Sequence, residues 1–427
     1  MSTAIALANI GMWTCLAVLA VYTLRHYFFT LNRLFGRHRQ PFVDVVRAEW
    51  PSLVVFVPAH NEALVVRDSL DALLTCDYPE SQLTIVPIDD RSTDETRDIL
   101  REYAANYPGR ITPYLRDDGP PGKAAALAEA MERFPGEIFL VFDADYIPGV
   151  RLLKQLVAPF FDPEVGAVMG RVVPLNVGLS LLTRLLDLER AGGYQVDQQA
   201  RMNLRLVPQY GGTVGGVRSI ALEHVGGWKI ESLAEDTDLT VRLALAGWDI
   251  VYQNRSECYE EVPETWEARI RQIQRWAKGH NQALRRYFAA WIFNRAHLPF
   301  ARVFDGALLL GVFAVPLVLV VGWASTMLLF FTGYPLAWGV FTVLAISTFN
   351  TVGNFAAFFQ VAAASRIDGS RERIRMLPFL FLGFLVSTVA VGRAAVSRAS
   401  WIRGTPLQWS KTERFRSGRV GGKGGEG

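Results

Sequence analysis

Charge is spread so unevenly along this chain that its distribution limits what the chain can fold into. Met1–Leu24 carries no Asp, Glu, Lys or Arg, and neither do Gly306–Ser365 and Met376–Gly392. An apolar segment of roughly 20 residues is long enough to cross the hydrocarbon core of a bilayer. The first stretch meets that length. The second has room for two helices with a turn near Gly333-Tyr334-Pro335, and the third sits near the lower limit. Nearly all the charge lies between Arg25 and Asp305 and in the C-terminal tail. The expected organisation is therefore an N-terminal anchor over 1–24, a charged α/β block over 50–290, an apolar region over 304–398 and a basic, Gly-rich tail over 399–427.

The first stretch has no basic start and no small-residue cleavage site, so it reads as an anchor and not as a signal peptide. Arg25, Arg33, Arg37 and Arg39 follow it directly. Basic residues collect on the cytoplasmic side of a membrane, which places the large block there, in a multi-pass protein of the cell membrane. One anchor plus three later crossings would put Arg393, Arg398, Arg403, Lys411, Arg414, Arg416 and Arg419 outside, against the same rule. Either the last apolar segment is re-entrant or interfacial, or the number of crossings differs. The net charge of +3 is too small to suggest a nucleic-acid partner. Cys15, Cys76 and Cys258 have no CxxC spacing, so reduced thiols are expected in place of a disulfide framework or a zinc site.

Within the block, apolar runs alternate with segments of helical period. Leu53–Val57, Leu83–Ile88 and Ile138–Phe142 read as buried strands; Ala63–Cys76 and Ala124–Phe134 read as helices. Ser92-Thr93-Asp94-Glu95 reads as a capping box with Ser92 as the cap. Such alternation implies a parallel sheet with helices on its faces. Ligands bind beyond the carboxyl ends of the strands in such sheets. Acidic residues collect there: Glu62, then Asp89 and Asp90, then Asp143 and Asp145.

Asp143-Ala144-Asp145 can chelate a divalent cation together with a diphosphate, since hard cations take oxygen ligands; a polar loop with two acids is the plainer reading. Asp90 can accept hydrogen bonds from a base or ribose, or belong to a turn. Lys123, after Gly119-Pro120-Pro121-Gly122, suits a phosphate at a helix N-terminus or a plain surface. Glu235-Asp236, with Asp238, suits a general base of raised pKa or an acidic helix start. Gln272, Arg275 and Trp276 share one helix face in the basic amphipathic stretch Trp266–Phe288. They suit a phosphate and a sugar ring, or a membrane interface. On that helix Ile273, Leu284 and Trp291 are expected to face the membrane.

In order and spacing, Pro58-Ala59-His60-Asn61-Glu62, Asp89-Asp90, Asp143-Ala144-Asp145, Glu235-Asp236 and Gln272-x-x-Arg275-Trp276 resemble the family 2 glycosyltransferases. The resemblance is to the membrane-bound branch that includes cellulose, hyaluronan and poly-N-acetylglucosamine synthases, and it covers roughly Leu53–Gln282. It implies a GT-A fold: a Rossmann-like mixed sheet with helices on both faces, accompanied here by transmembrane helices. It further implies inverting transfer of a hexose from a nucleotide sugar, a UDP-sugar, to a polysaccharide or lipid-linked acceptor. Pro58, Glu62, Asp89, Asp90, Lys123 and Asp143 would bind the nucleotide sugar, and Asp145 with Asp143 a Mg²⁺ or Mn²⁺ ion. Asp236 would be the base, beside Glu235. Gln272, Arg275 and Trp276 would hold the diphosphate and the acceptor. Gly211–Gly216 would be a loop near the acceptor; by itself it reads as a flexible turn. Ala234 stands where many synthases have Thr. Expected partners are the donor, a glycan or lipid acceptor, membrane lipids and an accessory or export subunit. Transfer of one sugar to a lipid, and a catalytically dead membrane scaffold, are the alternatives.

Overall fold

A computed structural model of the chain describes residues 3–39, 49–293, 297–333 and 355–396. The basic tail, most of the expected Gly333–Pro335 turn and the stretch up to 354 lie outside the described residues. The chain divides into a sheet unit, Gln40–Thr183 with Pro208–Arg269, and a helical unit, Met1–Arg39 with Arg184–Val207 and Ile270–Thr405.

The helical unit opens with α1 (Thr3–Phe35). The sheet unit then runs β1 (Leu53–Ala59), α2 (Val66–Leu74), β2 (Leu83–Asp90), α3 (Thr96–Asn106), β3 (Tyr114–Arg116), α4 (Lys123–Arg133) and β4 (Ile138–Val141). After these come β5 (Ile147–Pro148), α5 (Leu152–Val157) and β6 (Val165–Pro174). The chain crosses to the helical unit for α6 (Leu181–Ala191), a π-helical stretch and α7 (Gln199–Asn203). It returns for β7 (Gly215–Arg218), α8 (Ser219–His224), α9 (Glu235–Leu245) and β8 (Asp249–Glu260).

Among the described residues eight strands form one sheet in the order β3-β2-β1-β4-β7-β6-β8-β5. Strands β3, β2, β1 and β4 are mutually parallel, as the alternation of strands and helices implied. Beyond β4 the sheet turns mixed: β7 is antiparallel to both β4 and β6, β6 and β8 are parallel, and β5 is antiparallel to β8. Central parallel strands are covered on both faces and so read as unbroken apolar runs. Leu53-Val54-Val55-Phe56-Val57 is buried throughout.

Register decides where the chemistry falls. Ala59 pairs with Asp89, so β1 and β2 end together, and Val141 at the end of β4 lies opposite Gly215 at the start of β7. The residues after β1, β2 and β4 and those just before β7 therefore share one edge of the sheet. Strand β7 fits there only because it is nearly bare. A Cβ on Gly216 would lie 2.4 Å from the Phe139 carbonyl oxygen. The last two residues of the turn expected at Gly211–Gly216 are thus strand.

The helical unit continues with α10 (Trp266–Ile292), whose first residues belong to the sheet unit, and with α11 (Phe300–Gly311) and α12 (Val315–Phe331). It ends with α13 (Phe355–Ile367), α14 (Arg371–Met376) and α15 (Leu380–Val396). Among the described residues three helical stretches are long and apolar enough to cross a membrane: Thr3–Phe35, Phe300–Phe331 and Arg371–Ala394. Ala8 and Met12 pack on Leu329, and Phe29 packs on Ala363 and Ala364. A charged cluster closes the base of α1. Arg25 bonds Asp197 and Asp305, each at 2.7 Å, and Arg201 lies 3.3 and 3.4 Å from the same two carboxylates. Ile273 and Trp291 do not face lipid as expected: Ile273 packs against Ala390, Val391 and Ala394 of α15, and Trp291 donates its indole N–H to Val303 O at 2.7 Å. Helix-to-helix packing covers both, which the amphipathic pattern of α10 taken alone does not reveal.

Candidate active site

The loops after β1 and β2 are knotted to each other. Asn61 and Arg91 both adopt left-handed backbone, at φ 56° and 60°, which turns the chain sharply at each strand end. Asn61 Oδ1 accepts from Thr93 N at 2.7 Å, and Asn61 N donates to Ser92 Oγ at 2.9 Å. His60 Nδ1 lies 2.7 Å from Asp90 O, and Glu62 N donates to Thr96 Oγ1 at 2.8 Å. Ser92 is therefore not the helix cap that the sequence suggested. Its hydroxyl serves Asn61, its own N–H donates to Asp89 Oδ1 at 3.2 Å, and α3 starts only at Thr96. Asp94 Oδ1 takes the capping part by accepting from Thr96 N at 3.0 Å.

Asp89 is wholly buried, with Arg97 Nε donating to its other oxygen at 2.7 Å. It stabilises the loop from inside. Asp90 is held by donors on each oxygen: Arg116 (2.6 Å) and Arg91 (3.1 Å) on Oδ1, Gly122 N (2.9 Å) on Oδ2. Arg116 also forks onto Glu129, at 2.7 and 2.9 Å. Sequence reasoning missed Arg116 and Arg97, because no motif marks an arginine whose task is to hold an aspartate. The one available signal was a lone arginine closing a short strand.

The Asp143 turn follows β4. Asp143 N donates to Thr213 Oγ1 at 3.1 Å, and Lys123 Nζ, at the first turn of α4, donates to Asp143 Oδ1 at 2.5 Å. Asp145 is buried, with Glu261 N 3.4 Å from its Oδ2. The next side chain, Tyr146, donates to Glu260 at 2.6 Å. Glu235 and Asp236 begin α9, where the helix dipole favours negative charge. Asp236 Oδ1 accepts from Thr237 N at 2.6 Å. Gly212, at φ 70°, backs onto it: a Cβ there would lie 3.0 Å from Asp236 Cβ.

Electrostatics ties these elements into one place. Burial works to lower the Lys123 pKa, but Asp143, Glu235 and Asp236 outweigh it and hold the ammonium above its ordinary value. The Tyr210 phenol is pushed up by burial and then by Asp236, Glu235 and Asp143. Residues far apart in sequence thus surround one spot on the sheet edge. Among the described residues no three His, Cys, Asp or Glu side chains gather into a ready-made metal cage. Two carboxylates that leave room for substrate phosphates fit Mg²⁺ or Mn²⁺ by the chemistry of their oxygens.

Gln272, Arg275 and Trp276 lie on α10 in the helical unit, each half-buried, with the Arg190 guanidinium 5.6 Å over the Trp276 ring.

Comparison with known proteins accords with this geometry. The chain is 32% identical to the probable glycosyltransferase YdaM of Bacillus subtilis over 267 residues, 62% of either chain. It is 30% identical to the probable glucomannan 4-beta-mannosyltransferase 1 of Arabidopsis thaliana over 264 residues, 60% of this chain and 48% of that one. It thus spans less than two thirds of the length of the curated relatives it matches. The mannosyltransferase PcManGT of Pyrobaculum calidifontis, solved with GDP-Man and Mn²⁺, aligns over 85% of this chain and 97% of its own, with a TM-score of 0.56 and 22% identity. That likeness establishes the fold, GT-A. The model of the glycosyltransferase-like family 2 matches residues 51–279, more than half of the chain, and the protein belongs to that family.

Proposed function

We propose that this protein is a membrane-bound, metal-dependent, inverting glycosyltransferase that moves one hexose per turnover from a nucleoside diphosphate sugar to a glycan or lipid-linked acceptor. The observation that carries the reading is the convergence of Lys123, Asp143, Glu235 and Asp236 on one sheet edge beside buried Asp145. Asp90 sits at the nucleotide end. A carboxylate only accepts hydrogen bonds, so it suits a base edge that bears N–H, as uracil and guanine do. A UDP- or GDP-sugar meets that requirement. The names of the mannosyltransferase relatives favour a mannosyl donor, whereas the resemblance to the synthases favours a UDP-hexose.

Bound at Asp143 and Asp145, Mg²⁺ or Mn²⁺ would supply positive charge to the diphosphate as it leaves. Lys123 adds a second cation beside Asp143 and steadies the same developing charge. Asp236 takes the proton of the acceptor hydroxyl while that oxygen attacks the anomeric carbon from the side opposite the diphosphate. The bond to the diphosphate breaks in the same displacement, so configuration inverts. Gln272, Arg275 and Trp276 serve the diphosphate and the acceptor end. The basic run from Arg25 to Arg39 supports a cytoplasmic sheet unit.

The test incubates membranes bearing the protein with UDP-Glc, UDP-GlcNAc and GDP-Man plus Mn²⁺, and sizes the products. Transfer from one donor is expected. Asp236→Asn should bind that donor yet lose at least about 10²-fold in kcat, the usual scale for a general base. Steady kcat with a raised KM would make Asp236 a binding residue instead.

A further inference from the structure

The segment Gln209–Val214 touches both halves of the site. At one end Gln209 Nε2 donates to Thr237 Oγ1 at 3.1 Å, and Tyr210 N donates to Thr240 Oγ1 at 3.1 Å. The Thr240 hydroxyl also lies 2.8 Å from the carbonyl of Asp236. In the middle, Gly212 backs onto Asp236 itself. At the other end, Thr213 Oγ1 accepts the backbone N–H of Asp143. The strap is held under strain. Val214, fully buried and β-branched, is forced to φ 48°, while its carbonyl accepts from Gly170 N at 2.7 Å. A β-branched residue adopts left-handed backbone only when its surroundings over-determine it, and such strain clusters at functional sites.

We propose that this strap sets the spacing between the base and the metal-binding turn, with Thr213 as the positioning residue for Asp143. The proposal rests on the reading of the site given above. Its logic is geometric: α9 and the turn after β4 are separate pieces of chain, and the strap is bonded to both. A hydroxyl at 213 fixes where the Asp143 turn begins, and the left-handed bends at 212 and 214 fix the length between that hydroxyl and Asp236. Acceptor oxygen and anomeric carbon then meet at the distance that transfer needs.

Thr213→Val keeps the shape and removes the acceptor; Thr213→Ser keeps the acceptor. Outer partners of metal ligands are typically worth 10–100-fold in metal affinity or activity. With purified full-length protein, Thr213→Val should weaken Mn²⁺ binding by calorimetry, in the presence of saturating UDP or GDP, by about tenfold or more, and lower kcat similarly with donor KM little changed. Thr213→Ser should recover both to within a few-fold. Gln209→Ala, at the far end, should lower kcat and leave Mn²⁺ binding as it was. Thr213→Val with unaltered Mn²⁺ affinity and kcat overturns the proposal, as does a valine variant matched by the serine variant. If Thr213→Val does not fold, Gln209→Ala with unaltered kcat overturns it alone. Asp145→Ala separates the two ideas: full activity there removes the site itself, whereas an inactive Asp145→Ala beside a normal Thr213→Val removes only the strap.

Discussion

Replacing Arg116 with methionine tests how Asp90 is held. The Arg116 side chain is fully buried; it bonds Asp90 at 2.6 Å, forks onto Glu129 and donates to Pro120 O at 3.0 Å. Methionine fills much of the same volume without charge. Glu129 is partly exposed, with 35% of its side chain open, and can rehydrate, so its share of the loss is small. Asp90 is different: only 10% of its side chain is open. Removing one partner of a buried pair usually costs 3–5 kcal/mol because the other charge is stranded. Asp90 would keep Gly122 N and Arg91, which places the cost at the lower end, about 3 kcal/mol. At roughly 2–4 °C per kcal/mol for a unit of this size, the melting temperature of the purified protein should fall by roughly 6–12 °C. An Asp90 free to swing should also weaken UDP or GDP binding, read by calorimetry, by about tenfold. Arg91→Met removes an arginine that is one-third exposed and should cost under about 1 kcal/mol. If Arg116→Met melts within 2 °C of the parent and binds nucleotide normally, the account of Asp90 is wrong.

Asp145→Ala should abolish metal-dependent transfer, since it removes a hard oxygen ligand; full turnover with added Mg²⁺ or Mn²⁺ would take the metal assignment with it. Trp276→Ala should weaken acceptor use on the scale of about 1 kcal/mol and spare nucleotide binding, so donor hydrolysis persists while transfer drops; equal loss of both would count against an acceptor role. His280 on α10 is buried, and that burial, helped by Arg201, lowers its pKa from 6.5 to about 4. The unfolded chain therefore binds the proton first as pH falls, so stability is full above pH 6.5 and declines between there and pH 4, by up to about 3 kcal/mol. His280→Phe should flatten that part of the melting-temperature profile, and an unchanged slope would refute it.

Strands β1, β2 and β4 were legible because parallel strands covered on both faces must be apolar from end to end. The clustering of the acids was legible because parallel strands end on one edge, so carboxylates scattered in sequence share that edge. Strand β7 was hidden for the opposite reason. Glycine is a poor strand former, and Gly215-Gly216 reads as a turn until β4 and β6 are seen to leave no room for a side chain. Ser92 misled because a capping box is defined by local spacing, while its hydroxyl was claimed by Asn61 from another loop. Arg116 and Thr213 were invisible because their work is done through a neighbour, and pairing at long range leaves no local pattern. The faces of α10 depended on α15, whose packing no single-helix period encodes.

The charged cluster at the base of α1 bears on how the chain is made. Arg25 and Asp305 are 280 residues apart. At translation rates of about 5–20 residues per second, roughly 15–60 s separate the emergence of the two. During that interval Arg25 lacks one of its two carboxylates, since Asp197 appears well before Asp305. The whole sheet unit has left the ribosome before the cluster can close. Docking of α1 against the later helices is thus a late event, timed by the synthesis of α11, and the nascent sheet unit has that interval to fold before the cluster closes.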